Sequence, residues 1–231
     1  MSGVLYGVGL GPGDPDLITR RAAHLIETAT TVCYPALAGG DSLARGIAAD
    51  LIPEGATEIR IDVPMTRDRA PAQAAYDDGA ARIAQALEHG RDVVCLCEGD
   101  PFFYGSFMYL FSRLKDRFPV EIVPGVTSLT ACAARAALPL TARNEVMSIL
   151  PGPLPDDALR SHLRAADTLV LMKVGRHLPR LRALLAAEGL DGTYVERATL
   201  GAERILPLAE APDDAPYFSM ILVTKGADPW L

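Results

Sequence analysis

Short apolar runs bounded by glycine and proline alternate with longer stretches in which apolar residues recur every three or four positions. A short continuous apolar run fits a strand buried on both faces, whereas the longer spacing lines up apolar side chains on one face of a helix. Val4 to Leu10 is such a run and ends in glycines, which predicts a buried first strand. Ile18 to Ala29 carries Ala22, Leu25, Ile26 and Ala29 at helical spacing, and Thr31 to Tyr34 reads as a second strand closed by Pro35. Ser42 to Leu51 and Ala72 to Leu87 read as helices, the latter ended by Gly90. Between them Ile59, Ile61 and Val63 alternate with polar residues over Glu58 to Val63, the pattern of a half-exposed strand. Asp92 to Cys97 and Val120 to Val123 are further strands, each followed by a loop and a helix: one through Leu114, the other from Thr127 to Ala137 with Thr127 or Ser128 as N-cap. Strands alternating with helices predict a mainly parallel sheet covered by helices.

Leu138 to Asn144 reads as a linker, and beyond it the pattern shifts toward strand. Val146 to Leu150, Thr168 to Lys173, Tyr194 to Arg197, Arg204 to Leu208 and Phe218 to Thr224 are strand candidates. Two helices, Pro155 to Arg164 and Leu178 to Glu188, lie among them. The expectation is an α/β chain of two lobes, 1–142 and 143–231, with the junction between them as the natural place for a ligand cleft. The chain shows no internal repeat or low-complexity tract.

Composition narrows the function. Among 231 residues, 22 basic side chains stand against 29 acidic ones, a formal charge of −7. Nonspecific nucleic-acid binding depends on Lys and Arg neutralising phosphates, so nucleic acid is not an expected partner. A local basic pocket for an anionic small molecule is still compatible with that balance. The four cysteines, Cys33, Cys95, Cys97 and Cys132, are too sparse for a disulfide scaffold, and Cys95-Leu96-Cys97 lacks the spacing of a zinc site. No protein-bound metal is expected, and His24, His89, His162 and His177 are scattered. No apolar run reaches the roughly 18–20 residues of a membrane span, and no signal peptide is visible. A cytoplasmic protein with no membrane partner is the expectation.

Three loops carry the candidate chemistry. The first, Gly7-Val8-Gly9-Leu10-Gly11-Pro12-Gly13-Asp14-Pro15, lacks the dinucleotide spacing, because Pro12 stands where the third glycine belongs and Tyr34-Pro35 where a ribose-binding acid belongs. No Gly-Lys-Ser/Thr follows, so it is not a phosphate-binding P-loop either. Pro12 removes a backbone donor and stiffens the turn. The second loop, Cys97-Glu98-Gly99-Asp100-Pro101-Phe102-Phe103-Tyr104-Gly105, sets two carboxylates beside aromatic rings, which suits a partly apolar, positively charged ligand. The third is Pro124-Gly125-Val126-Thr127-Ser128. Each also has a plain reading: a tight turn, a turn whose phenylalanines plug the core, and a pair of helix-capping hydroxyls.

Taken together, the segments Val8-Gly9-Leu10-Gly11-Pro12-Gly13-Asp14 through Thr19, Gly99-Asp100-Pro101 and Pro124 to Ser128 resemble the ordered motifs of the tetrapyrrole (corrin/porphyrin) methylases. The likeness continues through Leu169 to Gly175 and Glu196 to Leu200, and so spans nearly the whole chain. Glu98 stands where the uroporphyrinogen-methylating branch has the first glycine of G-G-D-P. That departure, the Phe102-Phe103-Tyr104-Gly105 stretch and Pro216 to Met220 look like the branch that methylates C20 of precorrin-2 or its cobalt form.

The resemblance implies the fold of the class III S-adenosylmethionine methyltransferases, a homodimer, S-adenosylmethionine as methyl donor and a tetrapyrrole as substrate. Carried over by position, the donor contacts are Pro12, Glu98, Gly99, Asp100, Phe103, Thr127 and Ser128, with Met172 or Lys173 and Ala198 or Thr199 from the second lobe. The Gly11 to Asp14 loop would face the substrate. A meso carbon of a reduced tetrapyrrole is already an enamine-like nucleophile, so a base is needed only for proton balance; Asp14, then Glu98 and Tyr104, are the candidates. The substrate's carboxylates call for arginines, and Arg20, Arg21, Arg135, Arg143 and Arg176 lie near predicted loop ends. A non-catalytic tetrapyrrole-binding protein with a degenerate donor site is the rival of a different class; intact second and third loops speak against it.

Overall fold

Five strands, β1 (Leu5–Gly9), β2 (Thr31–Leu37), β3 (Thr57–Val63), β4 (Val93–Cys97) and β5 (Val120–Val123), form one all-parallel sheet in the order β3-β2-β4-β1-β5. They belong to the first of two compact units, Met1–Thr127, in a computed structural model that describes residues 1–64, 66 and 68–226. The central strands are apolar throughout because helices cover both faces. Alternate residues of β4 serve opposite layers. Val93, Cys95 and Cys97 pack with α3 (Ala70–Glu88) and α4 (Phe107–Leu114) through Ile83, Leu87, Leu110 and Leu114. Val94 and Leu96 pack with α1 (Arg20–Glu27) and α2 (Leu43–Ile47) through Ala22, Ile26, Ala44 and Ile47. Thr19 caps α1 by accepting from the Ala22 amide at 3.2 Å.

The second unit starts at Ser128. It holds α5 (Ser128–Arg135), β6 (Met147–Pro151), α6 (Asp156–Ala165), β7 (Thr168–Met172), α7 (Leu178–Ala187), β8 (Thr193–Glu196), β9 (Arg204–Pro207) and β10 (Ser219–Thr224). Its sheet runs β6-β7-β10-β8-β9, with only β6 and β7 parallel. Leu159 and Leu163 of α6 and Leu181, Leu184 and Leu185 of α7 pack on Leu169, Leu171, Ile221 and Val223. The α/β class and the strand-rich second half match the sequence pattern.

The differences have local causes. Pro35 does not close β2, which runs on to Leu37. Pro35 lies opposite Ile61 of β3, beyond the last pair with β4 at Cys33, where one missing donor breaks no ladder on the β4 side. The helix expected over Ser42 to Leu51 is only Leu43–Ile47, followed by turns. The linker-like Leu138 to Asn144 falls inside the second unit, because α5 ahead of it packs with β10. All four cysteines are buried and free, and burial pushes the Cys97 and Cys132 thiols up to about 12.

Gly7 illustrates how β1 accepts its covering helix. A Cβ there would stand 2.4 Å from the ring of Phe107, which is buried at the start of α4. The glycine is a packing requirement. Gly7→Ala is therefore expected to cost roughly 1–3 kcal/mol by overpacking. It should cost clearly less in a Phe107→Leu background, as read by urea unfolding; equal costs in the two backgrounds would contradict this contact.

Candidate functional site

β4, β1 and β5 are adjacent and parallel, so the three loops leave the same edge of the sheet, where open α/β proteins bind ligands. The backbones of those loops are joined to one another. The Leu10 amide donates to the Cys97 carbonyl at 2.9 Å; Gly11 donates to the Gly99 carbonyl at 3.2 Å and Gly99 returns a bond to the Gly11 carbonyl at 2.7 Å. Oδ1 of Asp100 accepts from the Phe102 and Phe103 amides at 2.9 and 3.1 Å, and Oδ2 from the Gly125 amide at 3.0 Å. A Cβ on Gly125 would lie 2.1 Å from the Gly99 carbonyl oxygen, and one on Gly9 would lie 2.6 Å from the Gly125 nitrogen. Main chain meets main chain here.

Gly99 differs from its neighbours. Its φ is +66°, and nothing lies within 4 Å of the position a Cβ would take. The second loop thus leaves the Cα of Gly99 facing open space, where a glycine permits close approach to the main chain. Phe103 stands half-buried nearby in the loop with its ring 5.3 Å from that of Tyr104, edge-on; Tyr104 is exposed at φ 56°.

Glu98 reaches back from this loop. Its Oε1 accepts from the amide of Ala44, in the first turn of α2, at 3.2 Å. Burial raises the pKa of its carboxyl above the usual carboxylate range, partly offset by its backbone hydrogen bonds. Asp14 is half-exposed and caps the short turn Pro15–Leu17, accepting from the Asp16 amide at 2.9 Å. Pro12 and Thr127 are half-buried in the same unit.

In the second unit the corresponding candidates end strands or begin a helix. Ser128 opens α5. Met172 is buried at the end of β7 with its carbonyl accepting from Gly152 at 2.7 Å, and exposed Lys173 follows at φ 55°. Ala198 is buried between Arg197 at φ 48° and Thr199 at φ 68°, and the Thr199 amide donates to Glu203 Oε2 at 2.7 Å. Left-handed conformations cost non-glycine residues roughly 1–3 kcal/mol each and concentrate where loops carry function.

The arginines divide. Arg21 is paired with Glu121, and Arg135 with Glu203, so these two are engaged within the protein. Among the described residues Arg20, Arg143 and Arg176 make no ion pair. His177 follows Arg176, and its pKa is lowered by burial and by the charges of Arg176 and Arg180. Sequence reading missed Glu203, and missed Ala44 as the partner of Glu98. A backbone amide carries no signature in its residue type, and an acid on a surface-like segment looks like any other. Among the described residues, no group of three or more His, Cys, Asp and Glu side chains is placed to hold a metal ion, and no helix is long and apolar enough to cross a membrane.

Two sheets, the first parallel with three interlocked loops at its carboxyl edge, define an α/β protein whose loops meet at the edge where open α/β proteins bind ligands. Residues 4–212 match the Tetrapyrrole (Corrin/Porphyrin) Methylases, and the chain belongs to that family. It is 42% identical to a precorrin-2 C(20)-methyltransferase of Sinorhizobium sp over 99% of both chains. It is 44% identical to the cobalamin biosynthesis protein CobIJ of Mycobacterium bovis over 97% of its own length, and spans only 46% of that protein. Among solved structures it is similar to uroporphyrin-III C-methyl transferase from Thermus thermophilus complexed with S-adenosyl homocysteine, with a TM-score of 0.70, 28% identity and coverage of 96% of this chain and 98% of that one.

The raised pKa of Glu98 has a measurable consequence. A carboxyl that folding makes less acidic destabilises the native state once both states ionise, so the cost is absent at low pH and appears as pH rises through its folded pKa. Glu98→Gln keeps an acceptor for Ala44 and removes that cost. Urea unfolding is expected to show the variant matching the native protein near pH 4 and exceeding it at pH 7; a gap independent of pH would contradict the burial of the charge.

Proposed function

We propose that the protein is an S-adenosylmethionine-dependent C-methyltransferase of cobalamin biosynthesis that methylates C20 of precorrin-2 to give precorrin-3A. The observation that carries this reading is the end-to-end likeness to a precorrin-2 C(20)-methyltransferase. The uncovered Cα of Gly99, in the same loop as Phe103, supports the donor reading, since a glycine lets a ligand approach the main chain closely. When bound, the donor supplies an electrophilic methyl group on a good leaving group, so the protein's main task is to hold two reactants in line.

In this reading the donor contacts are Pro12, Glu98, Gly99, Asp100, Phe103, Thr127, Ser128, Met172, Lys173 and Ala198. Asp100 acts mainly by holding the second and third loops together, because both its oxygens are engaged by backbone amides. Asp14, whose Oδ1 accepts from the Asp16 amide, is the first choice for the base, with Glu98 and Tyr104 behind it. Arg20, Arg143 and Arg176, which pair with no acid among the described residues, are the choice for gripping substrate carboxylates. The enzyme works in the cytoplasm as a homodimer, for which exposed Met108 and Tyr109 on α4 offer apolar surface.

The test is incubation with S-adenosylmethionine and either precorrin-2 or its cobalt form, followed by NMR assignment of the methylated carbon. Methylation at C20 is expected, and the better of the two substrates tells which form is native. Methylation elsewhere, or none with either, would overturn the assignment. Asp14→Asn is expected to lower turnover by about tenfold or more while donor binding stays normal; unchanged turnover removes Asp14 as the base.

A further inference from the structure

Glu203 serves no role in the motifs that mark the family resemblance, yet it lies at the crossing of two segments that carry donor candidates. Its side chain is 15% exposed. Oε2 accepts the Thr199 amide at 2.7 Å. Both oxygens also face Arg135, with Nε at 2.9 Å from each and Nη2 at 2.7 Å from Oε1. Arg135 is the last residue of α5, the helix that opens at Ser128. One carboxylate therefore holds the Ala198–Thr199 segment and the Ser128 helix at the same time, entirely within the second unit.

The Ala198–Thr199 segment needs such a support. Arg197 and Thr199 are both left-handed at φ 48° and 68°, conformations their side chains disfavour, so the segment does not keep its shape on intrinsic preference. The internal turn bonds, Leu200 to Arg197 at 2.9 Å and Glu203 to Leu200 at 3.0 Å, bring Glu203 back over Thr199. A hydrogen bond from a peptide amide to an ionised carboxylate is among the stronger ones available, and a bidentate guanidinium fixes the direction of that carboxylate. Arg135 keeps Glu203 ionised, holding its pKa below the usual carboxylate range.

We propose that Glu203 is a positioning residue for the methyl donor, shaping the Ala198–Thr199 backbone and coupling it through Arg135 to the helix that carries Ser128. The inference rests on the reading of those segments as part of the donor site. It is tested by calorimetric binding of S-adenosylhomocysteine to the full-length protein and variants, together with steady-state kinetics in the donor. Glu203→Ala is expected to weaken binding about tenfold and raise the donor KM in step, with turnover at saturating donor changed far less. Glu203→Gln, whose amide oxygen still accepts from Thr199, is expected to recover most of the affinity. Should Glu203→Ala not fold by circular dichroism, Arg135→Gln reads the same coupling, with a loss of about threefold expected. Native protein that fails to bind S-adenosylhomocysteine overturns the donor reading and this one with it. Native protein that binds, with affinity unchanged in Glu203→Ala, or in Arg135→Gln if only that variant folds, overturns the positioning role alone. So does equal loss in Glu203→Ala and Glu203→Gln.

Discussion

Everything at the carboxyl edge of the first sheet depends on three glycine backbones lying in contact. Gly9, Gly99 and Gly125 end three adjacent strands or begin the loops beyond them, and neither Gly9 nor Gly125 has room for a Cβ against the other's backbone and the Gly99 carbonyl. Because the contact is main chain on main chain, its geometry is as rigid as the sheet that presents it. Asp100 completes the join by spending one oxygen on its own loop and the other on Gly125. The same constraint explains why a glycine-rich turn after the first strand is not a phosphate cradle. Its amides at Leu10 and Gly11 are already bonded to Cys97 and Gly99, so they are not free for an anion.

Rigidity at this join frees one position to be bare. Gly99 has no neighbour on the side where a Cβ would stand, and its left-handed conformation costs glycine least. Loop ends in the second unit show a related economy, since Lys173, Arg197 and Thr199 are held left-handed although none is glycine. Strain of that kind persists only where the surroundings impose it. Around Thr199 the imposing group is Glu203 with Arg135 behind it.

Much of this was legible in the sequence. Continuous apolar runs such as Val93 to Cys97 announce strands buried on both faces, and Pro124-Gly125 announces a strand's end, because both signals are local. What escaped was set by tertiary contact. Pro35 continues β2 because the β4 ladder has already ended at Cys33, which no neighbouring residue reveals. The packing of α5 with β10 assigns that helix to the second unit across roughly 90 residues of chain. Arg135 read as one of five candidates for gripping substrate carboxylates, and its pairing with Glu203, an acid far along the chain, had no local signal. The glycine loops were legible as a set, while the reason for each glycine appears only when the backbones meet. The charge of −7 gains detail in the same way: Arg21 and Arg135 are engaged with acids, while Arg20, Arg143 and Arg176 make no ion pair among the described residues.

The central claim is that the loop edge is preformed by the sheet. Amide hydrogen exchange of the ligand-free protein, resolved by residue, measures this directly. The Gly11, Gly99 and Gly125 amides, each bonded across loops, are predicted to exchange as slowly as the β4 amides. Exchange at unprotected loop rates, slowing only when S-adenosylhomocysteine is added, would contradict the account.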